Sequence, residues 1–155
     1  MAIRTIVQLG DTILNKRSRP VEKFDDRLAQ LLDDMKDTLK KADGAGLAAV
    51  QVGVLRRVCV IDVECKKGHS AGEFLELINP EIVKEDGTQE EEEGCLSLPG
   101  EQGITRRPAV VHVRAQDRHG KWHIHYGEGI KARAFCHELD HMDGVLFTQR
   151  VIRKK

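Results

Sequence analysis

Apolar residues recur with a helical period near both ends of this chain and with a strand period between them, and this ordering restricts the fold more than any other feature. Leu28, Leu31, Leu32, Met35 and Leu39 stand at i, i+3, i+4, i+7 and i+11, one face of an amphipathic helix over residues 25–42, with Asp25 as N-cap and Gly44 as stop. The period then becomes two: Val58, Val60 and Asp62 alternate with Cys59, Ile61 and Val63, apolar on nearly both faces, which predicts a buried strand. Residues 74–78 read as a strand ending at Asn79-Pro80, and residues 82–93 as two strands around a turn at Glu85-Asp86-Gly87. Residues 110–115 and 122–126 form a hairpin about 117–120. The helical period returns over 128–142 and is closed by Asp143-Gly144. Strands grouped between two helices predict an α+β fold, its strands antiparallel rather than the parallel strands of βαβ units. Ala134, Phe135 and Leu139 give the C-terminal helix part of a face to bury, so it is expected to be central, with the antiparallel strands packed around it.

A chain of 155 residues with 40% hydrophobic content fits a single domain over 1–155. Its 25 basic residues balance 25 acidic ones, so no net positive field is available to hold a nucleic-acid backbone. The first nine residues lack the continuous apolar block of a signal peptide, and no stretch approaches the roughly 20 apolar residues of a membrane span. A cytoplasmic protein is expected. The cysteines, Cys59, Cys65, Cys95 and Cys136, show no C-x-x-C pair, which suits a reducing compartment. Cys59 and Cys65 read as core or surface thiols, the acidic run 90–93 as the charged guard of an edge strand, and His112, His123 and His125 as a polar sheet face.

His137-Glu138-Leu139-Asp140-His141 carries the strongest chemical signal. Two imidazoles four residues apart are neighbours on one helical face and can grip one metal ion. Glu138 lies roughly 100° further around the helix, beside such an ion rather than bound to it, where it suits a proton shuttle. Alone, the pattern also fits a charged, exposed helix. A zincin needs a third ligand downstream, but the 14 residues after His141 contain neither His nor Glu, and Phe147 stands where a metzincin would have its third His. The remaining ligand must come from upstream, and Glu93-Gly94-Cys95-Leu96-Ser97 offers a thiol at the end of a predicted strand; a lone Cys also reads as a small buried hydrophobe. Gly44-Ala45-Gly46-Leu47-Ala48-Ala49-Val50-Gln51 is neither a Walker motif nor a dinucleotide fingerprint, and by itself fits a helix cap followed by a loop.

Together, G-x-G-x-A-A-x-Q at 44–51, E-G-C-L-S at 93–97 and H-E-x-D-H at 137–141 resemble the signature of the peptide deformylases, in the family's order. Gln8-Leu9-Gly10-Asp11, Arg19-Pro20-Val21 and the stretch from Arg107-Pro108 onward extend the resemblance over nearly the whole chain. It implies a hydrolase that removes the formyl group from the N-terminal methionine of nascent polypeptides, a monomer near the ribosome exit with no membrane association. It also implies that Cys95, His137 and His141 ligate ferrous iron, with zinc, nickel or cobalt as substitutes and a fourth position for water. Glu138 would carry the proton, and the side-chain amide of Gln51 with the backbone N–H of Leu96 would bind the oxyanion. Backbone groups of Gly44, Ala45 and Gly46 would pair with the substrate, an apolar pocket beside the metal helix would take the methionine, and Glu93 with Arg107 would brace the Cys95 loop. Cys136 departs from the Gln of many members and lies off the ligand face. Two other classes remain: a non-catalytic binding relative, which would need neither Glu138 nor Gln51, and a metalloprotease, which the missing downstream ligand disfavours.

Overall fold

The carboxylate of Asp25 accepts a hydrogen bond from the Leu28 amide and so starts α1 (Asp26–Ala42) at the predicted cap. The computed structural model describes residues 2–63 and 73–154; Cys65 lies outside the described residues. The predicted apolar face of α1 is buried, and it also hides Asp34 and Thr38, which Arg4 satisfies through its guanidinium and its backbone N–H. The helix ends at Ala42, as predicted, but with a different stop residue. Asp43 rather than Gly44 takes the left-handed conformation, at φ 54°, which a short polar side chain tolerates. Gly44 is needed for closeness instead, because a Cβ there would stand 2.9 Å from Leu96 Cδ1.

The glycine-rich segment forms β1 (Gly46–Ala48), a short edge strand, and then a 3-10 turn over Ala49–Val52. It pairs antiparallel with β2 (Val58–Asp62), which is buried along its whole length as expected. β3 (Phe74–Asp86) does not end at Asn79-Pro80 but runs through it, 13 residues in all. A register shift between Ile78 and Glu81 places the proline where the ladder is interrupted anyway. Asn79, at φ 51°, accepts from Val21 N and donates to Val21 O and Gln116 Oε1, so side-chain bonds hold the irregular backbone. At Gly87 the chain leaves for a second sheet: β4 (Gln89–Cys95) pairs with β5 (Leu98–Arg107), not with β3. The expected hairpin of β6 (Val110–Gln116) and β7 (Trp122–Glu128) is present. α2 (Ile130–Met142) begins two residues later than predicted, after Gly129 at φ 58°, and β8 (Val151–Arg153) closes the smaller sheet.

The sheets run β1-β2-β3-β6-β7 and β4-β5-β8, with every pairing antiparallel. Val58, Val60 and Ile78 of the larger sheet meet α1, while Cys59, Ile61, Val111 and Val113 meet Phe135 and Met142 of α2. Helices on both faces explain why β2 shows no polar side. α2 is the more deeply placed helix, and nine of its 13 residues are buried. Where it crosses β7, a Cβ on Gly127 would lie 2.6 Å from Phe135 Cε2, so the ring sits directly on strand backbone. His112 stands opposite Tyr126, which puts it on the other face of the hairpin from His123 and His125, and the three imidazoles do not converge. Among the described residues no helix is long and apolar enough to cross a membrane.

Candidate functional site

α2 carries His137 and His141 one turn apart, with ring centroids 4.8 Å apart and their Nε2 atoms separated by 3.1 Å. β4 ends in a register shift between Gly94 and Cys95, which turns the thiol out of the ladder to 3.4 Å from His141 Nε2. The donor atoms of Cys95, His137 and His141 all lie within 4.8 Å of one another. Tetrahedral bonds of about 2.0–2.1 Å to nitrogen and about 2.3 Å to sulfur imply edges of about 3.4 Å (N to N) and about 3.6 Å (N to S). The two separations found here are close to those edges, so the set fits a single cation at its centre.

The far side of His137 is fixed by a carboxylate. Its Nδ1 lies 2.6 Å from Glu93 Oε2, and because an ionised carboxylate only accepts, the proton sits on Nδ1 and the Nε2 lone pair is left for a metal. Burial opposes a charged His137, but Glu138, Cys95 and Glu93 outweigh it and hold its pKa well above the ordinary imidazole value, so a cation binding at Nε2 must displace a proton from that nitrogen while Nδ1–H stays on Glu93. Burial and the adjacent His137 push His141 down to about 3, which keeps this second ring neutral.

Glu93 is saturated: Oε1 accepts from Thr105 Oγ1 at 2.7 Å and Arg107 Nε at 3.1 Å, and Oε2 from Arg107 Nη2 at 2.7 Å as well as from His137. Burial alone would raise its pKa, but His137 and Arg107 bring it to about 2. The third arm of Arg107, Nη1, reaches Asp140 Oδ2 at 2.6 Å. Of the acidic run, then, Glu90 behaves as an edge guard and pairs with Arg106 and Arg153, whereas Glu93 is buried beneath the site. Cys136 is also buried, off the ligand face, with its thiol pushed up to about 12 by desolvation, so it packs as a neutral side chain.

Glu138 projects from α2 toward β1. Burial raises its carboxyl to about 7, and Oε1 has no hydrogen-bond partner among the described residues. A Cβ on Gly46 would lie 2.7 Å from Glu138 Oε2, so the absence of a side chain at 46 sets where the carboxylate rests. Gly46→Ala is therefore expected to leave folding intact, since one side chain, Glu138, must shift from its Cγ outward, and, with Glu138 in its expected role as proton shuttle, to lower kcat by about tenfold or more, because displacement by as little as an ångström misaligns such a group. Paired thermal melts and peptide kinetics test this.

Gln51, in the turn after β1, accepts from Ala48 N through Oε1 at 3.0 Å and donates from Nε2 to Ser97 Oγ at 3.2 Å, with Cys95 Sγ 3.6 Å away. The backbone bond to the oxygen leaves the NH2 group turned toward the thiol. Leu96 follows Cys95 directly and packs its side chain against Gly44. Gly44 and Ala45 line a groove of about 810 Å³ with Ile130, Ala134 and His137, whereas Gly46 lies against Glu138 instead. Five further residues belong to this neighbourhood. Asp140 and Ser97 fall inside the motifs but had no assigned partner, and Thr105, Phe147 and Arg150 carry no local signal. Phe147 stacks on the His137 ring at 6.0 Å, and Arg150 forks onto Asp140.

Known proteins are similar to this chain in sequence and in fold. The family profile described as Polypeptide deformylase matches residues 3–155. A peptide deformylase of Alkaliphilus metalliredigens is 52% identical over 155 residues, covering 99% of this chain and 100% of the relative, and one of Caldicellulosiruptor bescii is 54% identical over 153 residues, covering 99% and 88%. The crystal structure of a peptide deformylase from Legionella pneumophila superposes with a TM-score of 0.89 at 46% identity, covering 97% of this chain and 86% of that one. With profile, relatives and fold in agreement, this chain belongs to the polypeptide deformylase family, the enzymes that remove the formyl group from N-formylmethionine.

Proposed function

We propose that Cys95, His137 and His141 hold a ferrous ion, for which zinc, nickel or cobalt can substitute, and that this centre hydrolyses the formyl amide at the N-terminus of nascent polypeptides. The observation that carries the reading is the meeting of a strand-end thiol with two helix imidazoles beside a buried carboxylate whose Oε1 has no hydrogen-bond partner among the described residues. When bound, the ion supplies Lewis acidity toward water and toward a carbonyl. A single thiolate with two imidazoles accepts several first-row ions, and cellular supply then decides among them.

The chain's own groups divide the remaining work. Glu138 takes a proton from the attacking water and returns it to the methionine nitrogen as the C–N bond breaks, which yields formate and a free α-amine. Gln51 Nε2 and the Leu96 N–H donate to the oxygen that becomes negative at the formyl carbon. Backbone groups at Gly44, Ala45 and Gly46 align the substrate as an extended strand, and the groove beside Ile130 and Ala134 receives the methionine side chain. Glu93 and Arg107 keep His137 oriented. Residues 1–155 act as one domain in this reading, monomeric and cytoplasmic, close to the ribosome exit.

Anaerobically prepared protein loaded with iron or nickel is expected to release formate from formyl-Met peptides, one free amine per formate. Loaded protein that releases none overturns the proposal, and cleavage of unformylated internal peptide bonds would point to a metalloprotease.

A further inference from the structure

Behind the proposed ligands, charges alternate in a line that reaches the surface. His137 Nδ1 bonds Glu93 Oε2 at 2.6 Å, Arg107 Nη2 bonds the same oxygen at 2.7 Å, and Arg107 Nη1 bonds Asp140 Oδ2 at 2.6 Å. Arg150 closes the line with a two-point contact, Nε to Asp140 Oδ2 at 3.2 Å and Nη2 to Oδ1 at 3.1 Å. Glu93, Arg107 and Asp140 without Arg150 carry a net charge of −1 in a mostly buried setting; with it they are neutral.

We infer that Arg150 is a positioning residue for the metal centre, acting through Asp140, Arg107 and Glu93 on the His137 ring. The inference rests on the proposed Cys95, His137 and His141 centre. Arg107 divides its donors between two carboxylates, so its hold on Glu93 depends on how strongly Asp140 competes. By engaging both oxygens of Asp140, Arg150 weakens that competition, and Arg107 stays on Glu93. The segment that delivers Arg150 is itself tied to the same group. Phe147, three residues before, stacks on His137, and Val151, one residue after, pairs with Thr105, whose hydroxyl donates to Glu93.

A surface arginine–carboxylate pair usually does little, and the chain contains an internal control. Arg106 is 60% exposed and donates twice to Glu90 Oε2, where the 49% exposed Arg150 donates to both oxygens of Asp140, but among the described residues Glu90 bonds only Arg106 and Arg153 and has no route to the ligands. The test loads parent, Arg150→Ala and Arg106→Ala proteins with cobalt and follows loss of the ion to excess chelator, together with the visible absorption band that reports cobalt geometry. Arg150→Ala is expected to speed release about three- to fivefold, at the upper end of what a half-exposed ion pair contributes, and to shift the band; Arg106→Ala should change neither. In an Asp140→Asn background, Arg150→Ala should add nothing. Release and spectrum equal to the parent, or a full additional effect in the Asp140→Asn background, overturns the inference. A parent that holds no cobalt refutes the metal-centre reading and this one with it, whereas a parent that holds cobalt unaffected by Arg150→Ala refutes only the role of Arg150.

Discussion

Glu138→Gln is expected to lower kcat for a formyl-Met peptide by roughly 10²- to 10⁴-fold while metal content and KM stay near the parent values. Glutamine keeps the shape of the side chain and removes its ability to take a proton. The donor atoms that converge belong to Cys95, His137 and His141, and Glu138 is not among them, so loading should survive. The fold should survive too. Glu138 is buried, and desolvation already holds its carboxyl near 7, so a neutral amide of equal size relieves a cost rather than adding one. A variant that keeps more than a tenth of parental kcat, or that loses its metal, would contradict the assignment of this residue as the proton carrier.

Arg107→Ala is expected to produce the largest loss of stability. The guanidinium is 5% exposed and donates to two carboxylates, Glu93 and Asp140. Its removal leaves Glu93 with Thr105 and His137, and Asp140, among the described residues, with only the half-exposed Arg150. Breaking a buried ion pair from one side costs roughly 3–5 kcal/mol, because the surviving charge stays desolvated. For a domain of this size that lowers Tm by about 6–20 °C. Metal affinity should fall about 10- to 100-fold as well, since Glu93 loses two of the donors that orient it against His137. Arg107→Lys should recover only part of either loss, because a single ammonium does not reproduce three bonds on two partners. Denaturant titration and metal analysis of the same preparations test both effects; a variant within about 1 kcal/mol of the parent would show that the brace carries little.

The elements legible in the sequence were those with an undisturbed period. α1 and the β6–β7 hairpin lie where they were expected, and β2 is buried on both faces as its composition required. Asn79-Pro80 resembles a strand terminator, but three side-chain bonds at Asn79, with residues 58 and 37 positions away, carry β3 across, and no local pattern anticipates them. β5 was invisible, since Pro99, Gly100 and Gly103 erase its alternation and only pairing with β4 keeps it extended. At the site, helical spacing alone joins His137 to His141, whereas Cys95 is an upstream candidate left by the missing downstream ligand, and only resemblance to a known signature ties it to them. Among four consecutive glutamates nothing local distinguishes Glu93 from its neighbours. Its burial follows from Arg107 and His137, which lie 14 and 44 residues away in sequence. Asp140 and Arg150 escaped notice for the same reason: their partners are set by the tertiary fold.

β1 is only three residues long and ends its sheet with one edge unpaired among the described residues, beside Gly44, Ala45 and the carboxylate of Glu138. Such an edge accepts only a polypeptide whose backbone is stretched out and whose amides are uncommitted. A client whose first residues have already coiled into a helix or joined a hairpin has nothing to offer it. With the substrate paired at this edge as proposed, deformylation becomes a race against the client's own folding, and the window closes when the new chain's beginning finds partners of its own.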